Sequence, residues 1–156
     1  MNQMGYYSRN YFPVYAERSY LTSSSLATLG CALPLALGAK VGQPHRTVVA
    51  LSGDGGFLYN SQVLATAVQY GINVIVILFN DNAYGNVLRA QEEQFDGRVI
   101  GTELHNPNFV KLAESYGAAA WLARNANELE AALHQAMDVG RPAVIEVVVG
   151  KLERTY

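Results

Sequence analysis

The sequence contains few of the residues that mark several common classes of protein. Its 156 residues include a single cysteine, Cys31. A single cysteine excludes an internal disulfide and a cysteine-ligated metal cluster, and such usage is typical of a reducing cytoplasm. The formal net charge is −2, and no long run of one sign occurs. We therefore expect no nucleic-acid interface, no polybasic contact with a membrane, and a cytoplasmic location.

Long hydrophobic segments are absent as well. The most apolar stretch, 26–41, is interrupted by Gly30, Pro34 and Gly38, so the sequence predicts no membrane span. The first residues lack a charged start followed by an apolar core, which argues against a signal peptide. Neither a Gly-x-Gly-x-x-Gly turn nor a Gly-Lys-Thr loop is present, which disfavours the usual nucleotide-binding sites.

What the chain does contain is an alternation of strand and helix patterns, in which half of the residues are apolar. Apolar, β-branched runs predict strands over 47–51, 73–79, 118–122 and 143–149. Helical patterns lie before and between them, over 22–40, 59–70, 106–117 and 126–138. The length fits one domain, 1–156. This order predicts an α/β fold, a doubly wound parallel sheet with helices on both faces.

Two helix starts and two irregular segments complete this prediction. Thr22 and the three serines after it predict the start of the first helix, and Asn106-Pro107 predicts the start of the third. The rings of the tyrosine-rich segment 1–21 are expected to pack on another subunit or a further piece of chain. The segment 84–105 is predicted to be irregular or partly helical, either a surface loop or a lid over a site.

Two polar, glycine-containing clusters follow the first two predicted strands. They are Gly53-Asp54-Gly55-Gly56 and Asn80-Asp81-Asn82-Ala83-Tyr84-Gly85. Parallel strands end at the same edge of a sheet, where open α/β sheets bind ligands, so we expect the two clusters to meet. Two carboxylates suit Mg²⁺, and backbone N–H groups suit phosphates. The pattern favours metal-bridged diphosphate binding, with ordinary turn and capping roles for both aspartates as the alternative.

These motifs resemble a known family. Gly53-Asp54-Gly55, 24 residues and then Asn80-Asp81 are similar to the signature of thiamine diphosphate enzymes. The segments 26–39 and 60–67 resemble stretches of the acetolactate synthase and benzoylformate decarboxylase branch. The similarity runs along almost the whole chain. It implies the thiamine diphosphate-binding fold and, within it, the C-terminal domain that holds the diphosphate end of the cofactor.

The resemblance also implies roles for individual residues. The Mg²⁺ ligands would be the side chains of Asp54 and Asp81 and the carbonyl of Ala83. Leu29 matches the apolar residue that wedges between the two cofactor rings and bends the cofactor. The residues implied in cofactor binding are Gln3, Ala27, Leu29, Gly53, Gly55, Gly56, Tyr84 and Gly85. Asn86 and Ala90 stand where acetolactate synthases carry Met and Trp, which favours a broader class, a 2-oxo acid decarboxylase or carboligase.

Family enzymes are several hundred residues long and use a second, pyrimidine-binding domain, which supplies the activating glutamate. The resemblance therefore implies that this chain is a fragment that lacks the first strand of its sheet, or one subunit of a split enzyme. On its own it is expected to be inactive, with its partner domain on the same or another chain and a homo-oligomeric assembly. Two alternatives stay open: a non-catalytic cofactor-binding module, and an unrelated doubly wound nucleotide binder.

Overall fold

The fold is built on one parallel sheet. The computed structural model describes residues 3–22, 26 and 28–150, without the side chain of Gln3. The strands are β1 (Val49–Gly53), β2 (Ile75–Asn80), β3 (Ala119–Ala123) and β4 (Ala143–Val148). Their spatial order is β1-β2-β4-β3, and every neighbouring pair is parallel. The four predicted strands are confirmed, each to within two residues at either end.

Seven helices connect and flank these strands within the described residues. They are α1 (Gln3–Tyr11), α2 (Ala32–Gly42), α3 (Asp54–Leu58), α4 (Val63–Gln69), α5 (Gly85–Gln94), α6 (Phe109–Ser115) and α7 (Ala126–Asp138). Residues from α2, α4 and α6 form one core with one face of the sheet. Residues from α7 form a second core with the opposite face. The predicted α/β class with helices on both faces is therefore confirmed.

The two cores follow from the alternation of side chains along each strand. In β2, Val76 and Leu78 face the first core, whereas Ile75 and Ile77 face the second. All four are nearly inaccessible to solvent, as expected for a strand buried on both faces. Because Glu146 in β4 shares its face with Val144, its carboxylate points toward the first core rather than the second. That orientation brings a charged group beneath the carboxyl edge of the sheet.

The start of α2 differs from the prediction. The structure begins this helix at Ala32, with the N–H of Leu35 bonded to the carbonyl of Cys31. Gly30, just before it, has a φ of +83°, a left-handed conformation that a continuous right-handed helix cannot contain. Its carbonyl accepts a hydrogen bond from Asn60 Nδ2 at 3.0 Å. A tertiary contact thus sets the helix start, while the predicted start at 22–25 lies partly outside the described residues.

The predicted helix over 59–70 is shorter than expected, because 59–62 form a turn and α4 begins only at Val63. A separate short helix that was not predicted, α3, begins at Asp54, directly after β1. Asn60 lies in the turn between α3 and α4, where its side chain reaches across to Gly30. Asparagine competes with the helical backbone through such side-chain hydrogen bonds, which explains the interruption. The Phe57 ring meets the Phe109 ring edge-on at 5.9 Å and so anchors α3 to α6.

The third predicted helix starts two residues later than expected. Asn108, not Asn106, is the N-cap of α6, and its side-chain oxygen accepts the N–H of Lys111 at 2.9 Å. Pro107 therefore lies outside the helix rather than at its first position. This shift releases Asn106 from a capping role. The glycine that was predicted to end this helix, Gly117, follows it with a φ of +89°.

The N-terminal aromatic segment packs partly on itself. The Phe12 and Tyr20 rings stack with a centroid separation of 6.3 Å, and the Tyr20 hydroxyl lies 2.9 Å from Ser8 Oγ. Tyr15 and Tyr11 stay 93% and 69% exposed. Elsewhere, α5 and the irregular residues after it confirm the prediction for 84–105. None of the helices in the described part of the chain has the length and apolarity that crossing a bilayer requires.

Candidate functional site

The two polar clusters meet at the carboxyl edge of the sheet, as the sequence predicts. Gly53 at the end of β1 is the register partner of Phe79 in β2. Asp54 therefore emerges beside Asn80, and the two loops run next to each other from that point. We refer to 53–56 as the β1 loop and to 80–85 as the β2 loop. The arrangement places both predicted metal-binding carboxylates on one side of the molecule.

Asp54 is the most deeply buried polar residue of the site, with 2% of its surface exposed. Its Oδ1 accepts the N–H of Gly55 at 2.8 Å, and its Oδ2 accepts the side-chain amide of Asn106 at 2.6 Å. Among the described residues no cationic side chain forms an ion pair with it. A buried carboxylate is costly unless it is paired or binds a metal. A bound cation would therefore stabilise the buried charge of Asp54.

Asn106 joins the two loops, a role that the sequence analysis missed. Its Nδ2 lies 2.6 Å from Asp54 Oδ2, 2.9 Å from Asn80 Oδ1 and 3.3 Å from Asn82 Oδ1. An amide nitrogen carries two hydrogens, so three oxygens share two donors. Its own Oδ1 is buried and has no hydrogen-bond partner in the structure. The only sequence signal at this position was the helix-start pattern Asn106-Pro107, which pointed elsewhere.

The β2 loop is shaped by bonds from its own side chains. Asn80 Oδ1 accepts the N–H of Asn82 at 3.1 Å, and Asp81 Oδ1 accepts the N–H of Ala83 at 3.3 Å. Asn82 has a φ of +54°, a conformation that asparagine tolerates better than most residues. Asp81 is half-buried, so its carboxylate is more accessible than that of Asp54. The loop thus turns sharply while it presents oxygen atoms toward the β1 loop.

The carbonyl of Ala83 takes no part in the backbone hydrogen bonds of the bridge that Ala83 forms. Ala83 and Glu103 form an isolated antiparallel bridge. Its hydrogen bonds run from the N–H of Tyr84 to the carbonyl of Thr102 and from the N–H of Leu104 to the carbonyl of Asn82, both at 2.8 Å. The bridge therefore fixes the loop without using the oxygen of Ala83. It does occupy the N–H of Tyr84, one of the donors that the resemblance assigns to the diphosphate.

Glu146 is a second residue that the sequence analysis missed, and its carboxylate supports the β2 loop. Glu146 in β4 is 9% exposed, and its Oε1 accepts the side-chain amide of Asn80 at 2.7 Å. Because Asn80 gives its amide hydrogen to Glu146, its oxygen is directed toward Asn82 and Asn106. The chain of hydrogen bonds from Glu146 through Asn80 and Asn106 ends at Asp54. No sequence signal marked Glu146, since it lies in an apolar strand.

Tyr84 packs against the β1 loop. A Cβ atom on Gly55 would lie 2.5 Å from Cε1 of the Tyr84 ring, so only glycine fits beneath this ring. A side-chain hydrogen bond with Tyr59 raises the pKa of Tyr84 above its ordinary value of 10.0. Burial and the charges of Tyr59 and Asp54 raise this pKa further. The phenol therefore stays neutral at physiological pH and forms a wall of the site.

Leu29 also reaches the site. Its Cδ2 lies 4.0 Å from the position that a Cβ on Gly56 would take, and the backbone nitrogen of Gly30 lies 3.8 Å from that position. The Leu29 side chain is 37% exposed, which is unusual for a leucine next to a core. The backbone of Gln3 begins α1, but its side chain and all of Ala27 lie outside the described residues. The predicted contacts of these two residues therefore remain predictions.

The donor set at the two loops fits a hard divalent cation. Asp54, Asp81 and the Ala83 carbonyl offer oxygen atoms only, which Mg²⁺ prefers. No group of three or more His, Cys, Asp or Glu side chains that could hold a metal occurs within residues 3–22, 26 and 28–150. A cation here would therefore need backbone oxygens and ligand oxygens in addition to the two aspartates. Mg²⁺ typically binds proteins in this way, through one or two carboxylates plus substrate phosphates.

Comparison with known proteins shows the family to which the chain belongs. The family model described as thiamine pyrophosphate enzyme, C-terminal TPP binding domain, matches residues 3–147. A probable acetolactate synthase large subunit of Methanocaldococcus jannaschii is 37% identical over 153 residues, which cover 97% of this chain and 26% of the relative. The catabolic acetolactate synthase of Raoultella terrigena is 40% identical over 139 residues, 89% of this chain and 25% of the relative.

A putative thiamine pyrophosphate-containing protein of Bacillus subtilis is 36% identical over 141 residues, which cover 90% of this chain and 24% of the relative. The chain thus spans about a quarter of the length of these curated relatives. The chain belongs to the family of C-terminal thiamine pyrophosphate (thiamine diphosphate)-binding domains and is similar to those of acetolactate synthases.

Proposed function

We propose that this domain holds the Mg²⁺-diphosphate end of thiamine diphosphate at the β1 and β2 loops. The observation that supports this most strongly is the 2% exposed carboxylate of Asp54, which has no ion-pair partner among the described residues. A divalent cation bound by Asp54, Asp81 and the Ala83 carbonyl would neutralise this buried charge. It would also screen Asp81 from the phosphates, since two carboxylates next to a diphosphate repel it without a cation.

The diphosphate oxygens would be bound by backbone N–H groups of the same loops. Gly56 lies in the first turn of α3 and Gly85 is the first residue of α5, where helix N–H groups have no intrahelical acceptor. The positive end of the α5 dipole also favours an anion there. The N–H groups of Gly55 and Tyr84 already bond to Asp54 and Thr102. They would contribute by shifting those bonds when the anion binds.

Leu29 would contact the organic part of the cofactor. Its partly exposed side chain stands beside Gly56, on the side of the β1 loop from which the rings would extend. An apolar group at this position supports the bent shape that the family resemblance implies. Gln3 and Ala27 complete the proposed cofactor contacts. When bound, thiamine diphosphate supplies an electron sink for carbanion chemistry, and the task of this domain is to position it.

The activity would belong to a larger assembly. We propose a 2-oxo acid decarboxylase or carboligase, a lyase or transferase in the cytoplasm, of which this chain is the diphosphate-binding part. A pyrimidine-binding domain on the same or another chain would supply the acid-base group, and the assembly would be a homo-oligomer. The exposed rings of Tyr11, Phe12 and Tyr15 support association, since monomers rarely leave such a cluster uncovered.

Calorimetric titration of thiamine diphosphate, with and without Mg²⁺, tests the proposal. The chain is expected to bind only with Mg²⁺, alone or together with a pyrimidine-binding domain from a relative. Asp54→Asn should weaken binding by about 100-fold or more, because even residues that only support a metal ligand contribute 10–100-fold. Asp96→Asn is the matched control, since its side chain is 94% exposed and remote from both loops. Binding that ignores Mg²⁺ or the Asp54 substitution would contradict the proposal.

A further inference from the structure

Asn106 lies between the two loops that are proposed to bind the cation, although no motif of the sequence assigned it a role at such a site. Its amide nitrogen meets three oxygens from both loops, at 2.6, 2.9 and 3.3 Å. It is the group that ties the β1 loop to the β2 loop through side chains. A group that bonds directly to a metal-binding carboxylate controls the orientation of that carboxylate.

The other half of the same amide is unsatisfied. Asn106 Oδ1 is buried and has no hydrogen-bond partner, although the same side chain contacts Asp54, Asn80 and Asn82 through its nitrogen. Buried acceptors without a partner are rare in folded proteins, and each is expected to have a reason. Flipping the amide would not help, because Oδ1 would then face three other oxygens. The missing partner must therefore be a donor that arrives from outside the chain.

A hydrated cation supplies such a donor. Mg²⁺ bound through one or two carboxylates usually keeps several waters, and each of these waters can donate a hydrogen bond. Oδ1 and Nδ2 belong to one planar amide, and Nδ2 already contacts Asp54 Oδ2. A water on a cation beside Asp54 is therefore within reach of Oδ1.

We propose that Asn106 is a positioning residue of the cation site, with both ends of its amide in use. The NH₂ group orients Asp54 and holds the β2 loop to it, and Oδ1 accepts a hydrogen bond from a water on the cation. The inference rests on the proposed function, because it requires a cation between the two loops. It assigns a new role to this chain, on the segment that precedes α6.

Two variants of Asn106 and a control variant of Asn108 test this inference. Asn106→Leu keeps the size of the side chain and removes both polar ends, so the apparent Mg²⁺ affinity at fixed thiamine diphosphate should fall 10–100-fold. Asn106→Asp keeps the acceptor and brings a carboxylate against Asp54. Melting without Mg²⁺ should then occur at a lower temperature, and Mg²⁺ should raise that temperature more than in the wild type, because the cation relieves the repulsion.

Asn108→Leu is the matched control, because Asn108 caps α6 and its side chain accepts from Lys111 rather than facing the site. It should lower the melting temperature equally with and without Mg²⁺ and leave the Mg²⁺ affinity unchanged. A merely structural Asn106 would behave like this control in both variants. Wild-type affinity for Mg²⁺ in Asn106→Leu would overturn the inference and leave the proposed function intact. No Mg²⁺ response in the wild type, with or without the partner domain, would overturn both.

Discussion

The β1 and β2 loops present similar polar groups, but the protein holds them in different ways. The β1 loop is fixed by packing: Asp54 is 2% exposed, and the ring of Tyr84 leaves no space for a Cβ on Gly55. The β2 loop is fixed by hydrogen bonds of the Asn80 side chain, which donates to Glu146 and accepts from Asn82 and Asn106. Asn82 at its tip is exposed and left-handed.

The β1 loop therefore depends on the volume of its side chains, whereas the β2 loop depends on their polar groups. A packed loop is sensitive to added atoms, since interiors have few voids. A loop held by hydrogen bonds tolerates changes of size at its surface but loses its shape when a buried polar partner is removed. Of the two proposed ligands, Asp54 is therefore held rigidly and Asp81 is more adaptable. The following substitutions test this contrast.

The largest predicted effect is a loss of Mg²⁺-dependent cofactor affinity that differs between substitutions of the two aspartates. Asp54→Asn removes a buried anionic ligand and places an amide against the amide of Asn106, so Mg²⁺-dependent cofactor binding should fall by about 100-fold or more. Asp81→Asn keeps an oxygen ligand in an accessible loop and should cost about tenfold or less. Calorimetric affinities of the two variants check the ratio. Equal losses would contradict the contrast between a rigid and an adaptable ligand.

A pair of glycine substitutions in the β1 loop tests the packing claim. Gly55→Ala places a Cβ 2.5 Å from the Tyr84 ring and 3.0 Å from Leu104 Cδ1, and should lower the free energy of unfolding by about 2 kcal/mol. Gly56→Ala meets no atom closer than 3.8 Å and should change it by less than about 1 kcal/mol. Urea denaturation of both variants measures the difference. Tolerance of Gly55→Ala would show that Tyr84 moves freely.

The hydrogen-bond claim is tested beneath the β2 loop. Glu146→Leu leaves the amide of Asn80 buried without an acceptor, which should cost about 1–3 kcal/mol of unfolding free energy. Glu146→Gln offers an oxygen at the same position and should cost about 1 kcal/mol or less. Denaturant titration distinguishes them. Equal stability of the Leu and Gln variants would mean that the bond at 2.7 Å does not hold the loop.

The smallest effect concerns alkaline pH. Because the pKa of Tyr84 is raised in the folded chain, the folded state keeps this proton above pH 10 while the unfolded state loses it. The stability that neutral Tyr84 contributes is therefore fully present below pH 10 and is lost as the pH rises through its raised pKa. Tyr84→Phe should flatten the fall of the melting temperature between pH 9 and 11. An unchanged slope would contradict the hydrogen bond with Tyr59 as the cause of the raised pKa of Tyr84.

The parts of the fold that local patterns encode were predictable. The strands follow from β-branched runs, and α7 has its predicted bounds, 126–138, because Asn125 caps it through the N–H of Glu128. The meeting of the two loops followed from parallel pairing alone. The starts of α2 and α6 were not predictable, because the Gly30–Asn60 contact and the release of Asn106 depend on tertiary structure.

The same reason explains what was missed at the site. The Asn80–Glu146 bond joins residues 66 positions apart, and the Asp54–Asn106 bond joins residues 52 positions apart. A single sequence contains no signal for such pairs, since Glu146 stands in no recognisable motif and Asn106 only in a helix-start pattern. Asp54 and Asp81 could be singled out because glycines and apolar strands flank them. Motifs predicted the ligands, whereas only the fold shows which side chains position them.

The central claim is that a divalent cation binds between the β1 and β2 loops together with a diphosphate. The most direct test is a crystal structure of the chain with thiamine diphosphate and Mn²⁺, in which anomalous scattering locates the metal. We expect one manganese peak in contact with Asp54, Asp81 and the Ala83 carbonyl, next to the diphosphate. A peak elsewhere, or a diphosphate bound at these loops without a metal, would contradict it.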